Sequence, residues 1–138
     1  MQRYLVTYLV VLFSYLIIDF IWLALISQAS YQLAIGHLLR ENYPTWPWIL
    51  FYLLYSAVVV RLVIAPLSSQ NKIRQAFFNG ALFGLAAYGT YNLTNYAVLA
   101  SWPLDITVKD WAWGTFITGL ISALGFAFQH SQLLAKIK

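Results

Sequence analysis

Apolar residues in this chain run on without alternation and are broken only by short segments carrying proline or charge. Four such runs can be drawn, at 4–26, 46–65, 75–99 and about 110–131. Each is close to the ~20 residues that cross ~30 Å of hydrocarbon at 1.5 Å per residue. Continuous runs predict helices, since barrel strands would alternate with a period of two. Punctuation agrees: Pro47 suits a first helical turn, Pro66 ends the second run, and Ser101-Trp102-Pro103 breaks the chain after the third. The expected fold is therefore all-α, an integral membrane four-helix bundle formed by 1–138 as a single domain. The first run is too long for a cleavable leader and contains Asp19, so it is expected to be a retained signal anchor.

The longest connection, from Ser27 to Thr45, is not featureless. Tyr31, Leu33, Ile35, Leu38 and Leu39 predict a short interfacial helix over the mouth of the bundle. Orientation follows from the basic residues, which cytoplasmic segments retain. With four spans, Arg3, Lys72, Arg74, Lys136 and Lys138 fall on one side, with Arg61 near it, while Arg40 and Lys109 fall on the other. Both termini are thus expected in the cytoplasm.

Composition strengthens this picture and removes alternatives. With 62% hydrophobic and 9% charged residues, and a mean hydropathy of +0.71, the chain does not resemble a soluble domain. The formal charge of +4 comes from scattered residues at span ends, without a basic patch, so no nucleic acid is expected as a partner. The absence of cysteine excludes disulfides, thiolate catalysis and iron–sulfur ligation. His37 and His130 fall at opposite faces, which argues against a two-histidine haem, and no lysine lies within a span to hold a retinal. No cofactor and no dedicated metal site are predicted.

Against this apolar background Asp19 stands out. An ionisable residue inside a span needs partners or water, which makes it a functional-site candidate. A neutral form, or donors from Asn, Tyr or Trp, is expected around it. The predicted topology brings other polar residues to a similar depth in the outer half. Tyr15, Asp19 and Trp22 share one helical face; Tyr88, Tyr91, Asn92 and Asn95 share another; Asp110, Trp113 and Gly114 share a third. The expected ligand-binding set is Asp19, Trp22, Tyr88, Tyr91, Asn92, Asn95, Asp110 and Trp113. Asn92, Asn95, Thr94 and Thr115 serve equally well as glue between helices, and Gly80 with Gly84 reads as a packing motif. Tryptophans near the outer boundary also fit an interfacial belt.

The strings Ile18-Asp19-Phe20-Ile21-Trp22-Leu23, Gly36-His37-Leu38-Leu39, Phe51-Tyr52-Leu53-Leu54-Tyr55, Gly80-Ala81-Leu82-Phe83-Gly84-Leu85, Tyr91-Asn92-Leu93-Thr94-Asn95 and Asp110-Trp111-Ala112-Trp113-Gly114-Thr115 occur in order along nearly the whole chain. In these the chain resembles the domain-of-unknown-function family 2177. The resemblance implies a small bacterial multi-pass protein of the cytoplasmic (inner) membrane and brings no activity with it. The family's pattern has Asp where this chain has Asn92, so an acid–base role there is in doubt and a hydrogen-bonding role is not.

The leading expectation is a protein without catalytic activity that binds or transports a small amphipathic or lipid-like molecule in an outer-half pocket around Asp19. A membrane-embedded lipid-modifying enzyme, using Asp19, Asp110 and His37, is the second reading. It lacks an H-E-x-x-H, a G-x-S-x-G or an Asp-rich diphosphate motif. The third is an accessory subunit of a larger membrane complex. Expected partners are the lipid bilayer and a homo-oligomer or such a complex.

Overall fold

The computed structural model describes residues 2–131, and every regular element within them is a helix. We label these α1 (Gln2–Ile26), α2 (Gln28–Ile35), α3 (Trp46–Ile64), α4 (Ile73–Val98) and α5 (Leu104–Gln129). By length and composition α1, α3 and α5 are able to cross a membrane. The 26-residue α4 is as long but more polar, with Arg74, Gln75, Asn79, Asn92 and Asn95 along it. Lys136 and Lys138, which contributed to the expected orientation, lie outside the described residues.

The ends of the helices follow local chemistry. In α1 the last turn, Trp22–Ile26, widens to a π-turn, and both the amide and the hydroxyl of Ser27 donate to the Trp22 carbonyl at 2.8 Å. This closes α1 and allows α2 to start at once, giving the short helix expected in the first loop; Gly36–Leu38 adds a 3-10 turn. Pro47 occupies the first turn of α3, where a missing amide hydrogen costs nothing. A second π-turn, Val59–Ile64, finishes α3. Helix α5 begins at Leu104, well ahead of the expected 110. Pro103 precedes it in extended conformation, Asp105 sits in its positive first turn, and Thr107 Oγ1 donates back to the Pro103 carbonyl at 3.0 Å.

The closest pairing is the antiparallel contact of α4 with α5, built on small residues. A Cβ on Gly84 would lie 2.5 Å from the Gly114 carbonyl and 2.6 Å from Thr118 Oγ1, and one on Gly80 would overlap Ser122. One on Gly114 would overlap the Tyr88 ring. Helix α1 packs antiparallel to α5, where Thr7 donates to Gln129 Oε1 at 3.2 Å and Arg3 to the Gln129 carbonyl at 2.5 Å.

Helix α3 is engaged unevenly. Its π-turn contributes Val59, Val60, Val63 and Ile64 to a core with Val11, Tyr15, Ala76, Ile117, Ile121 and Phe126. Its first half instead leaves Trp46, Trp48, Ile49, Leu50, Leu53 and Leu54 exposed. One end of α3 is anchored in the core; the other meets α1 through Tyr52 and Leu53, which bond Asp19 and Tyr8, and leaves its remaining apolar side chains beside the candidate site uncovered.

Candidate functional site: two bridged carboxylates behind an apolar groove

Asp19 is 5% exposed, and each of its oxygens accepts a hydrogen bond. Tyr52 of α3 donates to Oδ2 at 2.5 Å, and the Trp113 indole of α5 donates to Oδ1 at 2.8 Å. Two donors supplied by two other helices satisfy a carboxyl group that would otherwise be stranded in an apolar setting. Trp22, one turn beyond Asp19, stacks on Trp113 with centroids 4.2 Å apart and planes 7° from parallel. The stack fixes the indole that holds Asp19.

Asp110 forms a second, similar node. Its Oδ1 accepts from the Tyr31 hydroxyl of α2 at 2.8 Å, and its Oδ2 from the Asn92 amide of α4 at 2.6 Å. Asn92 is fully buried and also donates to the Tyr88 carbonyl at 3.1 Å, while its own carbonyl oxygen is unpartnered. The neighbouring Lys109 donates to Ser30 Oγ at 2.7 Å. Adjacent residues of α5 thus hold α2 through Ser30 and Tyr31. Burial raises the Tyr31 phenol well above the usual tyrosine range, and the Asp110 carboxylate adds to the rise.

Of the residues expected from sequence, the structure brings together Asp19, Trp22 and Trp113 in one node and Asp110 and Asn92 in the other. Tyr88 is half-buried, its hydroxyl bonded to that of Tyr15. Two placements differ from the expected cluster. Tyr91 is 56% exposed, turned outward with its ring edge-on to Trp102, because it sits a quarter turn from Asn92 on α4. Asn95 bonds neither carboxylate; its backbone carbonyl accepts from the Leu99 amide at the end of α4. His37 is exposed on the 3-10 turn and makes no hydrogen bond to Asp19 or Asp110. Among the described residues no group of three His, Asp or Glu is placed to hold a metal ion.

The open space lies on the other side of the two tyrosines. A groove of about 880 Å³ runs between α1 and α3 beneath α2, with Leu12, Leu16 and Leu23 on one wall and Trp48, Ile49 and Leu53 on the other. Tyr31 and Tyr52 belong to its lining, whereas none of the eight expected ligand-binding residues does. The aspartates stand one hydrogen bond behind the wall. Tyr31 and Tyr52 are the residues that sequence reasoning missed, although depth alone points to Tyr52. It lies six residues into α3 and Asp19 seven residues before the end of α1, both roughly 10 Å from the same face at the usual helical rise.

Residues 4–127 match the family model described as "Predicted membrane protein (DUF2177)". Neither a curated protein nor a solved structure matches the chain. With a match that takes in both carboxylate nodes and every wall of the groove, this chain belongs to the DUF2177 family of predicted membrane proteins.

Proposed function

We propose that this is a four-span protein of the bacterial cytoplasmic membrane, with both termini in the cytoplasm, that binds an amphipathic, lipid-like molecule in the groove between α1 and α3. The fourth span in this reading is α4. Its 26 residues extend roughly 39 Å at the helical rise, and it lies antiparallel along the apolar α5 with Asn92 turned inward. Arg3, Lys72 and Arg74 then share the cytoplasmic end, and α2 lies at the outer interface.

The groove carries the proposal. Its volume of about 880 Å³ falls within the ~300–1,000 Å³ of small-molecule sites, and its lining is apolar with a few placed polar groups. Its position at the outer end of α1 and α3 opens it to the surrounding acyl chains. Binding is favoured over catalysis because both oxygens of Asp19 are already bonded to protein donors and the side chain is buried. The carboxylates position Tyr31 and Tyr52; they do not reach a ligand themselves. One copy of the chain suffices to form the groove.

The test is native mass spectrometry of protein extracted from its own membrane in mild detergent. The wild type is expected to retain a bound amphiphile, Ile49→Trp to lose it by filling the groove, and Leu62→Trp, at an exposed position outside the groove, to keep it. Equal retention by all three would refute the proposal.

A further inference from the structure

The binding reading above, on which this inference rests, leaves the ligand's head group open. The lining of the groove narrows it. Along α1 the groove extends from Leu12 to Leu23, roughly 17 Å at the helical rise. Of its polar residues, Gln28, Tyr31, Gln32, Tyr43 and Thr45 gather at the α2 end and Tyr52 lies roughly 9 Å deeper along α3, while Leu12, Leu16, Ile49 and Leu53 line the remainder. That gradient orients an elongated amphiphile with its head beneath α2 and its chain directed toward the core.

No lining residue carries a charge. The charged groups nearby do not supply an anion partner. Lys109 donates to Ser30 and does not line the groove, and Arg40, beside the lining residue Leu39, is exposed and followed by the oppositely charged Glu41. Behind the wall stand two acids, Asp19 and Asp110, each receiving the hydroxyl hydrogen of a groove tyrosine. A phenol has a single proton to donate. With that proton committed, the Tyr31 and Tyr52 oxygens offer a ligand only lone pairs, made richer by the acids they donate to. An anionic head would meet acceptors backed by acids and would lose its hydration without a cationic partner, which is costly. A hydroxyl head would find acceptors at the tyrosines and both donors and acceptors at Gln28 and Gln32.

We propose that the groove selects an uncharged amphiphile, a single hydrocarbon chain bearing a hydrogen-bond-donating alcohol or polyol head, and rejects the same chain bearing a phosphate.

Monomyristoyl glycerol and its phosphate ester differ by that group alone. Binding of each to the full chain in nanodiscs of neutral lipid is read by competition for a monoacyl glycerol with a brominated chain, which quenches Trp48 in the groove wall. The neutral compound is expected to bind tighter by on the order of tenfold or more, a difference of one decade in Kd. Gln28→Arg, at an exposed position on α2, is expected to reverse or erase the preference by supplying the missing cation. Equal or tighter binding of the phosphate ester to the wild type overturns the head-group selection and leaves the lipid groove standing. Failure of both compounds to bind overturns the selection and the groove reading together.

Discussion

Replacing Tyr52 with Phe isolates one atom of the carboxylate network. The ring keeps its contacts with Tyr15 and Phe51, whose centroids lie 5.0 and 5.1 Å away, and only the hydroxyl that donates to Asp19 at 2.5 Å is removed. A neutral hydrogen bond is worth about 0.5–1.5 kcal/mol net, and one to an ionised group about 1.5–3 kcal/mol. Double-mutant cycles within a membrane protein average about 0.6 and reach about 1.7 kcal/mol, because the unfolded state in the bilayer also finds partners. The bond is short, and Asp19 is only 5% exposed, so the upper part of the membrane range applies: about 1–1.7 kcal/mol. Reversible unfolding in micelles, at one pH, is measured for wild type, Tyr52→Phe, Asp19→Ala and the double variant. Tyr52→Phe is expected to cost about 1–1.7 kcal/mol in the wild type and less than about 0.5 kcal/mol once Asp19 is gone. An equal cost in both backgrounds would show that the hydroxyl and the carboxyl are not coupled, and the reasoning would fail.

Two further outcomes follow from the packing and from the α2 contacts. Gly84→Ala should destabilise the chain by about 1–3 kcal/mol in the same unfolding assay, since its Cβ meets the Gly114 backbone at 2.5 Å. Gly36→Ala, with its nearest atom at 3.5 Å, should be neutral or slightly stabilising. Tyr31 has a raised pKa in the folded chain, so the stability it contributes is complete below the ordinary tyrosine value of ~10 and declines as pH rises through the folded value. An alkaline unfolding series should show this decline in the wild type and a smaller one in Tyr31→Phe; identical pH profiles would contradict the burial of the Tyr31 phenol beside Asp110.

Much of the framework was legible in the sequence because long apolar runs have few alternatives. The ends of α1, α3 and α4 lie within two or three residues of those expected. The start of α5 was hidden because Leu104 to Lys109 mixes β-branched and charged residues, while the Pro103 and Asp105 start signals sit in front of them. Both π-turns were also hidden, since a widened turn leaves no signature in an apolar run. At the site, helical periodicity put Asp19 with Trp22 and Asp110 with Trp113 on shared helical faces, and in the structure Trp113 bonds Asp19 while Asp110 bonds Tyr31 and Asn92. It left undecided which neighbours fill the carboxylates' acceptor positions, because that depends on how helices pair across the bundle. Asp110 reaches Asn92 because α4 and α5 are antiparallel neighbours joined by a short turn, whereas Asp19 draws Tyr52 from α3. The groove was invisible for a related reason. It is lined jointly by α1, α2 and the first half of α3, and no local pattern records how three such elements come together.

Photolabelling with a lipid that carries a diazirine in its acyl chain tests the binding groove most directly. The protein is labelled in membranes and the adducts are mapped by mass spectrometry. The account predicts adducts concentrated on Leu12, Leu16, Ile49 and Leu53, above those on exposed apolar residues elsewhere such as Leu62, Phe78 and Leu82. It also predicts that Ile49→Trp removes the concentration at Leu12 and Leu16. Labelling spread evenly over the exposed apolar surface, unchanged by Ile49→Trp, would contradict it.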